Sequence, residues 1–311
     1  MPTTKIVFLI LPHIHLLDLA GADQVFNEAV CLGADIEIEY CSTNELIQTS
    51  NHLPFGKLTH YSKLKIQARD YIFIPGAEVD FLLSKKMSAE KELIKWVTQA
   101  YEKGANLCTI CTGAFFLGLT GLLDGRKCTT HWKRTKELKK KFPAINLVEN
   151  ILFTEDERIH TSAGVAAGID LALYIIGKLM DDNFSYKIAR ELVVYVRRQG
   201  NEAQQSIFMK YRNHIHSGIH KVQDYLQENI QRKQSLAQLA AIACMSSRNF
   251  SRVFKKETGI SVNVYITLIR KERLQELRKN PDITRQEMAK QCGLKSERQV
   301  IRLLNTINAY A

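Results

Sequence analysis

Short runs of consecutive apolar residues mark the first two thirds of this chain, and helical spacings mark the last third. Ile6, Val7, Phe8, Leu9 and Ile10 are continuous, as are Tyr71, Ile72, Phe73 and Ile74; residues 36–40 and 106–110 are read the same way. Such runs predict parallel strands covered on both faces. Between them, residues 23–31 and 89–103 follow a helical period, the second aligning Leu93, Val97 and Ala100. Strands alternating with helices predict a doubly wound, mostly parallel α/β sheet, whose ligands bind beyond the carboxyl ends of the strands.

Beyond residue 206 the periodicity is helical throughout. Ile219, Val222, Leu226 and Ile230 define one amphipathic helix, and residues 235–243 a second, short one. Cys244 and Met245 make a turn, and Ser246 is placed to cap a third helix. On that helix Phe250, Val253 and Phe254 share a face. Ser247, Arg248, Asn249, Ser251, Arg252 and Lys255 lie largely opposite, with Lys256 beside them. The pattern recurs over residues 283–291, a Cys292-Gly293-Leu294 turn and residues 296–304, where Arg298, Gln299 and Arg302 are the exposed candidates. A long helix over 262–279 separates the two units, burying Ile266, Ile269, Leu274 and Leu277 and stopping before Pro281. The expected organisation is an α/β domain at 1–205, a linker at 206–216, and an all-α domain with two helix-turn-helix units at 217–311.

Charge sharpens this division. The 311 residues carry a net +11, but 18 Lys+Arg against 8 Asp+Glu fall between Tyr211 and Ala311, leaving 25 against 24 before them. The basic excess therefore belongs to the helical third and implies an anionic partner there. A basic, amide-bearing helix face suits the DNA major groove, where Arg reads guanine and Asn reads adenine; the alternative is an ordinary solvated face. Recurrence of the unit favours double-stranded DNA, with two units entering successive grooves ~34 Å apart. Glu297 would repel phosphate, so the first unit is expected to anchor affinity. Seven scattered cysteines argue against a secreted disulfide scaffold and for a cytoplasmic setting. The apolar run at the N-terminus is too short for a membrane span.

The chemistry concentrates in loops that follow strands: His13, His15 and Asp18 after the first, Pro75-Gly76-Ala77-Glu78 after the third, and Cys111-Thr112-Gly113 after the fourth. A cysteine between a buried strand and a helix start, with glycine two residues on, suits a strained elbow. At such a turn the helix N-terminus is expected to lower the thiol pKa. His131 is a candidate base or hydrogen-bond partner for it. Cys111 is equally consistent with a buried core thiol. Cys108 forms Cys-x-x-Cys with it but is expected inside the strand. His13 and His15 read as solvated loop residues; no metal and no cofactor is predicted.

These residues resemble a known family. Thr109-Ile110-Cys111-Thr112-Gly113-Ala114-Phe115-Phe116-Leu117, with Gly121-Leu122-Leu123-Asp124-Gly125-Arg126 and Thr129-Thr130-His131-Trp132, resembles the ThiJ/PfpI branch of the class I glutamine amidotransferase-like superfamily. Leu17-Asp18-Leu19-Ala20-Gly21 and the segment from Thr161 through Gly164 and Gly168 to Asp170 match the same pattern. The resemblance implies a reactive cysteine at Cys111, reachable by Asp18. Thr112 stands where protease-like members have histidine, and Ser162-Ala163-Gly164 replaces the glutaminase His-x-Glu, so neither proteolysis nor glutamine hydrolysis is implied. Isonitrile hydratase relatives do combine Cys-Thr with an aspartate in the first loop. Pro75-Gly76-Ala77 stands where relatives have two glycines, at the position of an oxyanion hole.

Leu236 to Gly259 is similar to the AraC/XylS DNA-binding domain, through Ala240, Met245-Ser246, Arg248, Phe250, Arg252-Val253-Phe254 and Glu257-Thr258-Gly259. The second unit departs from it, with Val300 and Leu304 where the family has phenylalanines, and residues 305–311 as a short tail. The combined order resembles GlxA-type transcriptional regulators. The expected function is a sequence-specific DNA-binding regulator, a homodimer, whose α/β domain senses a small-molecule effector or dimerises. The expected pocket comprises Asp18, Gly76, Cys111, Thr112 and His131. A cysteine-dependent, isonitrile-hydratase-like enzyme using Cys111, Asp18, Thr112 and His131, or a redox sensor through Cys111, stands as the alternative.

Overall fold

The continuous apolar runs become strands buried on both faces. The computed structural model describes residues 3–194, 198–278, 280 and 282–305. Its main sheet contains β1 Thr4–Leu9, β2 Ile36–Ser42, β3 Thr59–His60, β4 Tyr71–Ile74, β5 Asn106–Ile110, β6 Phe153–Asp156 and β7 Ile159–Ser162. The spatial order is β6-β7-β5-β4-β1-β2-β3. Only the β6–β7 edge is antiparallel. Successive side chains leave opposite faces of a strand. Ile6 and Phe8 therefore join Phe26, Phe73, Ile110, Leu171 and Ile175 in one core layer, while Val7 and Leu9 join Ile72, Ile74, Leu93, Val97 and Phe115 in the other. Helices α1 Leu16–Cys31, α4 Ala166–Leu179 and α5 Asp182–Glu191 supply the first layer; α2 Lys91–Glu102 and α3 Gly113–Leu119 supply the second.

Helix α1 begins seven residues earlier than its periodicity predicts, at Leu16 rather than residue 23. No side chain caps it: His15 holds the N-cap position in an extended conformation without a capping bond. The start is held by tertiary contacts instead. The His15 amide donates to the Gly76 carbonyl at 2.8 Å, and Ile14 bridges to Thr49 and Ala77. Local capping signals could not reveal bonds to residues sixty positions away.

The chain divides into two units, Met1–Gln204 and Gln205–Ala311. Residues 206–216, expected as a linker, belong with the second. Ser206 caps a short helix, Ile207–Lys210; the Ile207 amide donates to Glu272 Oε1 at 2.7 Å, and Gln223 Nε2 donates to the Tyr211 carbonyl at 2.7 Å. The unit continues with α6 Ser217–Glu228, α7 Leu236–Ile242, α8 Ser247–Thr258, α9 Val262–Leu277, α10 Arg285–Gln291 and α11 Glu297–Asn305. Ser235 and Gln238 form a reciprocal capping box, and Ser246, Ser261 and Thr284 each accept from an amide three residues on. Cys244, at φ +56°, makes the first sharp turn, and Gly293, at φ +63°, the second. Lys279 and Pro281, expected at the end of the spacer helix, and residues 306–311 of the tail lie outside the described residues.

Helix α9 is shared by two cores. Tyr265, Ile266 and Ile269 pack with Leu226, Leu239, Phe250 and Phe254, whereas Leu274 packs with Met288, Ala289, Cys292 and Val300. Phe254 is fully buried, edge-on to Phe250 and Tyr265 at centroid distances of 5.7 and 5.5 Å. Phe254→Ala should therefore destabilise this unit by roughly 3–5 kcal/mol. The check is native-state amide exchange, which should accelerate through residues 219–269 and stay unchanged through the main sheet.

Candidate functional site

Three loops leave the carboxyl ends of β1, β4 and β5, neighbours in the sheet, and meet over one point. Cys111 follows β5 with φ +55°, a left-handed conformation that costs a non-glycine residue about 1–3 kcal/mol. The turn is enforced from all sides. Its amide donates to the Ser162 carbonyl at 3.0 Å, and its carbonyl accepts from Thr130 Oγ1 at 2.8 Å. Two glycines permit the approach: a Cβ on Gly113 would stand 2.1 Å from the Ile74 carbonyl oxygen, and one on Gly164 2.1 Å from Cys111 Cβ. Thr112 exchanges two hydrogen bonds with the Ala77 backbone, donating to its carbonyl at 2.6 Å and accepting from its amide at 3.0 Å.

Asp18, on the first turn of α1, reaches the same point and is 1% exposed. Its Oδ1 accepts from the Val165 amide at 2.6 Å, and its Oδ2 has no hydrogen-bond partner among the described residues. Val165 pays for that bond with φ +50°, unusual for a β-branched side chain. Gly76 lies between Asp18 and the elbow. A Cβ there would fall 2.4 Å from Asp18 Oδ2, 2.8 Å from Thr112 Oγ1 and 3.0 Å from Cys111 Cβ. His15 Nδ1 stands 3.4 Å from Asp18 Oδ2. Nδ1 or Nε2 of His15, a carboxylate oxygen of Asp18 and the Cys111 thiol all lie within 4.8 Å of one another, the one such donor set among the described residues.

The expected pocket residues fare differently. Asp18, Gly76, Cys111 and Thr112 do converge. His131 caps the short turn Trp132–Arg134, its Nδ1 accepting weakly from the Lys133 amide at 3.4 Å; no hydrogen bond joins it to Cys111 among the described residues. Burial and the nearby Lys133 charge push its pKa down, while Asp18 pulls it back. The expected lowering of the Cys111 pKa is reversed. Burial, then the Asp18 carboxylate alongside, push the thiol well up, and the opposing bonds from Thr112 do not overcome them. Helix-start amides near the sulfur are outweighed because Gly164 covers it and a negative group adjoins it. Cys108 is fully buried and its thiol is likewise pushed up by burial, as a core thiol is expected to be. Sequence reasoning missed Gly164 and Val165 as site residues and set His15 aside; the family pattern in residues 161–170 was the available signal for the first two.

In the second unit, α8 buries Phe250 and Phe254 and exposes Arg248, Arg252, Lys255 and Lys256. Arg252 donates to Asn249 Oδ1 at 2.9 Å, and Ser251 Oγ donates to the Ser247 carbonyl at 3.0 Å. On α11, Arg298 and Arg302 are exposed beside Glu297, while Gln299 Oε1 accepts from the Lys295 amide at 2.8 Å. Gln299 is thus partly committed to holding its own turn.

Two measurements check the elbow. Gly76→Ala should cost the N-terminal unit roughly 1–3 kcal/mol in chemical denaturation, because no neighbour of the added methyl can withdraw freely. Alkylation of Cys111, followed by peptide mass mapping, should be slower than that of exposed Cys31 at neutral pH and still rising past about pH 8.5, where an ordinary thiol is half ionised. The raised folded-state value also means that stability is retained below that pH and lost as pH climbs toward the folded value, a loss Cys111→Ser should remove.

Comparison with known proteins agrees with both halves. The DJ-1/PfpI family matches residues 4–178, and the AraC family of bacterial regulatory helix-turn-helix proteins matches residues 226–267. The HTH-type transcriptional regulator GbdR of Pseudomonas aeruginosa is 27% identical over 212 residues, covering 67% of this chain and 57% of its own length. Isonitrile hydratase of Pseudomonas putida is 26% identical over 178 residues, 57% of this chain and 72% of that enzyme. The chain thus spans less than two thirds of GbdR. Among solved structures, a ThiJ/PfpI family protein from Pseudomonas syringae superposes with a TM-score of 0.55 at 19% identity, covering 78% of this chain and 91% of that one, a likeness of fold. This chain belongs to the DJ-1/PfpI family, with an AraC-type helix-turn-helix domain following the α/β domain.

Proposed function

We propose that the protein is a sequence-specific DNA-binding transcriptional regulator, in which the helical unit holds duplex DNA and the α/β unit senses a small ligand at the Cys111 elbow. The carrying observation is α8: a helix anchored by two buried phenylalanines, presenting Arg248, Arg252, Lys255 and Lys256 to solvent within a helix-turn-helix. Arg248, Asn249 and Arg252 read base edges; Ser247, Ser251, Lys255 and Lys256 bind or border phosphate. Arg298, Gln299 and Arg302 make the weaker second contact. Regulators among the relatives support this reading, as does the +10 balance of the last 101 residues. The protein acts as a dimer, so that paired copies read paired half-sites.

The raised Cys111 thiol weighs against a nucleophile or a low-pKa redox sensor, since both need thiolate at neutral pH. One observation favours the enzyme reading: Asp18 Oδ2, without a partner, faces the elbow, as an acid or base would. Turnover of an alkyl isonitrile that disappears in Asp18→Asn would establish it.

Selection of bound duplexes from a random pool tests the regulator directly. A defined motif should emerge, and log affinity for it should fall with log salt by about 0.9 per phosphate neutralised. No enrichment, or affinity insensitive to salt, removes the proposal. Arg252→Ala should weaken the selected site by roughly 1–3 kcal/mol and relax preference at one base pair. Affinity lost equally for all sequences would place Arg252 on phosphate instead.

A further inference from the structure

We propose that His15, Asp18 and Cys111 form a three-ligand site for a divalent transition-metal ion of the zinc type, with its fourth coordination position open. The inference narrows the ligand-sensing half of the preceding reading and is independent of the DNA-binding half. Its first support is geometric. The three donor atoms lie within 4.8 Å of one another. His15 Nδ1 and Asp18 Oδ2 are 3.4 Å apart, close to the edge of about 3.3–3.6 Å expected between nitrogen and oxygen ligands of tetrahedral zinc with bonds of ~2.0–2.2 Å.

The second support is an unsatisfied group. Asp18 is 1% exposed, and its Oδ2 faces the elbow without any hydrogen-bond partner among the described residues. A buried carboxylate oxygen left without a hydrogen bond is costly, and the ionisable group beside it is the His15 imidazole, with Nδ1 3.4 Å from Oδ2. A dication pairs with both the carboxylate and the thiolate.

Space is the third argument. Cys111 and Thr112 are 5% and 3% exposed, and Gly76 and Gly164 come so close that a single added carbon would collide with Asp18 or Cys111. An organic effector of drug size needs several hundred Å³, whereas an ion needs only its ligand shell. The donor set also selects the ion. Thiolate, imidazole and carboxylate together suit zinc and its neighbours; magnesium and calcium prefer oxygen alone. Binding is a proton exchange without redox change: the Cys111 S–H bond breaks, the proton passes to solvent, and the sulfur's freed electron pair forms the bond to the metal. Half-exposed His15 lies at the solvent side, where the open position is reached by water or by a donor atom of a second ligand.

Titration of chelator-treated full-length protein with Co²⁺, and displacement by Zn²⁺, tests the site. One equivalent of Co²⁺ should give thiolate-to-cobalt charge-transfer absorption together with the intense d–d bands of four-coordination, and Zn²⁺ should abolish both. Cys111→Ser should lose the charge-transfer absorption. His15→Ala and Asp18→Asn should weaken binding by at least the ~10–100-fold that loss of an outer-shell partner costs. His15→Ala alters a rim side chain and keeps the test open if Asp18→Asn fails to fold. Absence of the charge-transfer band, its persistence in Cys111→Ser, or unchanged affinity in His15→Ala overturns the site. Metal binding that leaves DNA affinity unchanged upholds the site and overturns the sensing reading, so the two fail separately.

Discussion

The α/β unit is organised around one buried carboxylate. Asp18 stands on the first turn of α1 and accepts the Val165 amide at the entry to α4, so it ties together the two helices that cover the same face of the sheet. Both backbones bend to make this possible. Val165 takes a left-handed conformation, and α1 starts without a side-chain cap. The same carboxylate then borders Cys111, so its cost and its use are inseparable: the group that locks the helices also raises the thiol. Removing it would loosen the helix entries and relieve part of the thiol's upward shift, while burial, the larger cause, would remain.

The helical unit solves a different problem with different means. Its cores are small, so precise ends matter more than bulk. Hydroxyl caps at Ser235, Ser246, Ser261 and Thr284 start successive helices at defined residues, and left-handed turns at Cys244 and Gly293 set the angle within each helix-turn-helix. Such caps are worth about 1 kcal/mol each and fix where charged side chains emerge. The cations on α8 gain a defined geometry because two phenylalanines and a serine cap leave that helix no freedom to rotate.

Much of this was legible from sequence. Residues 6–10 and 71–74 are strands because both faces of the sheet are covered, so alternation vanishes and continuous apolarity remains. The caps and turns of the helical unit were readable because Ser246 and its neighbours act within three residues. What escaped depends on distance along the chain. The start of α1 rests on bonds to Gly76 and Val165, and the direction of the Cys111 shift rests on Gly164 covering the sulfur from 53 positions away. His15 was unremarkable as a loop histidine until the fold set it 3.4 Å from Asp18. The stretch 206–216 read as a linker by composition, yet Glu272 and Gln223 hold it through hydrogen bonds that composition does not encode.

Helix α9 carries one further consequence. Because Tyr265 and Ile269 are fixed in one core and Leu274 in the other, its length is not free to drift. Each residue inserted between Ile269 and Leu274 would swing the second unit by about 100° and advance it by about 1.5 Å. Surface loops of this protein can lengthen with little penalty, but the four residues from Arg270 to Arg273 behave as a gauge block. Their number sets the spacing and the angle between the two cores that share the helix.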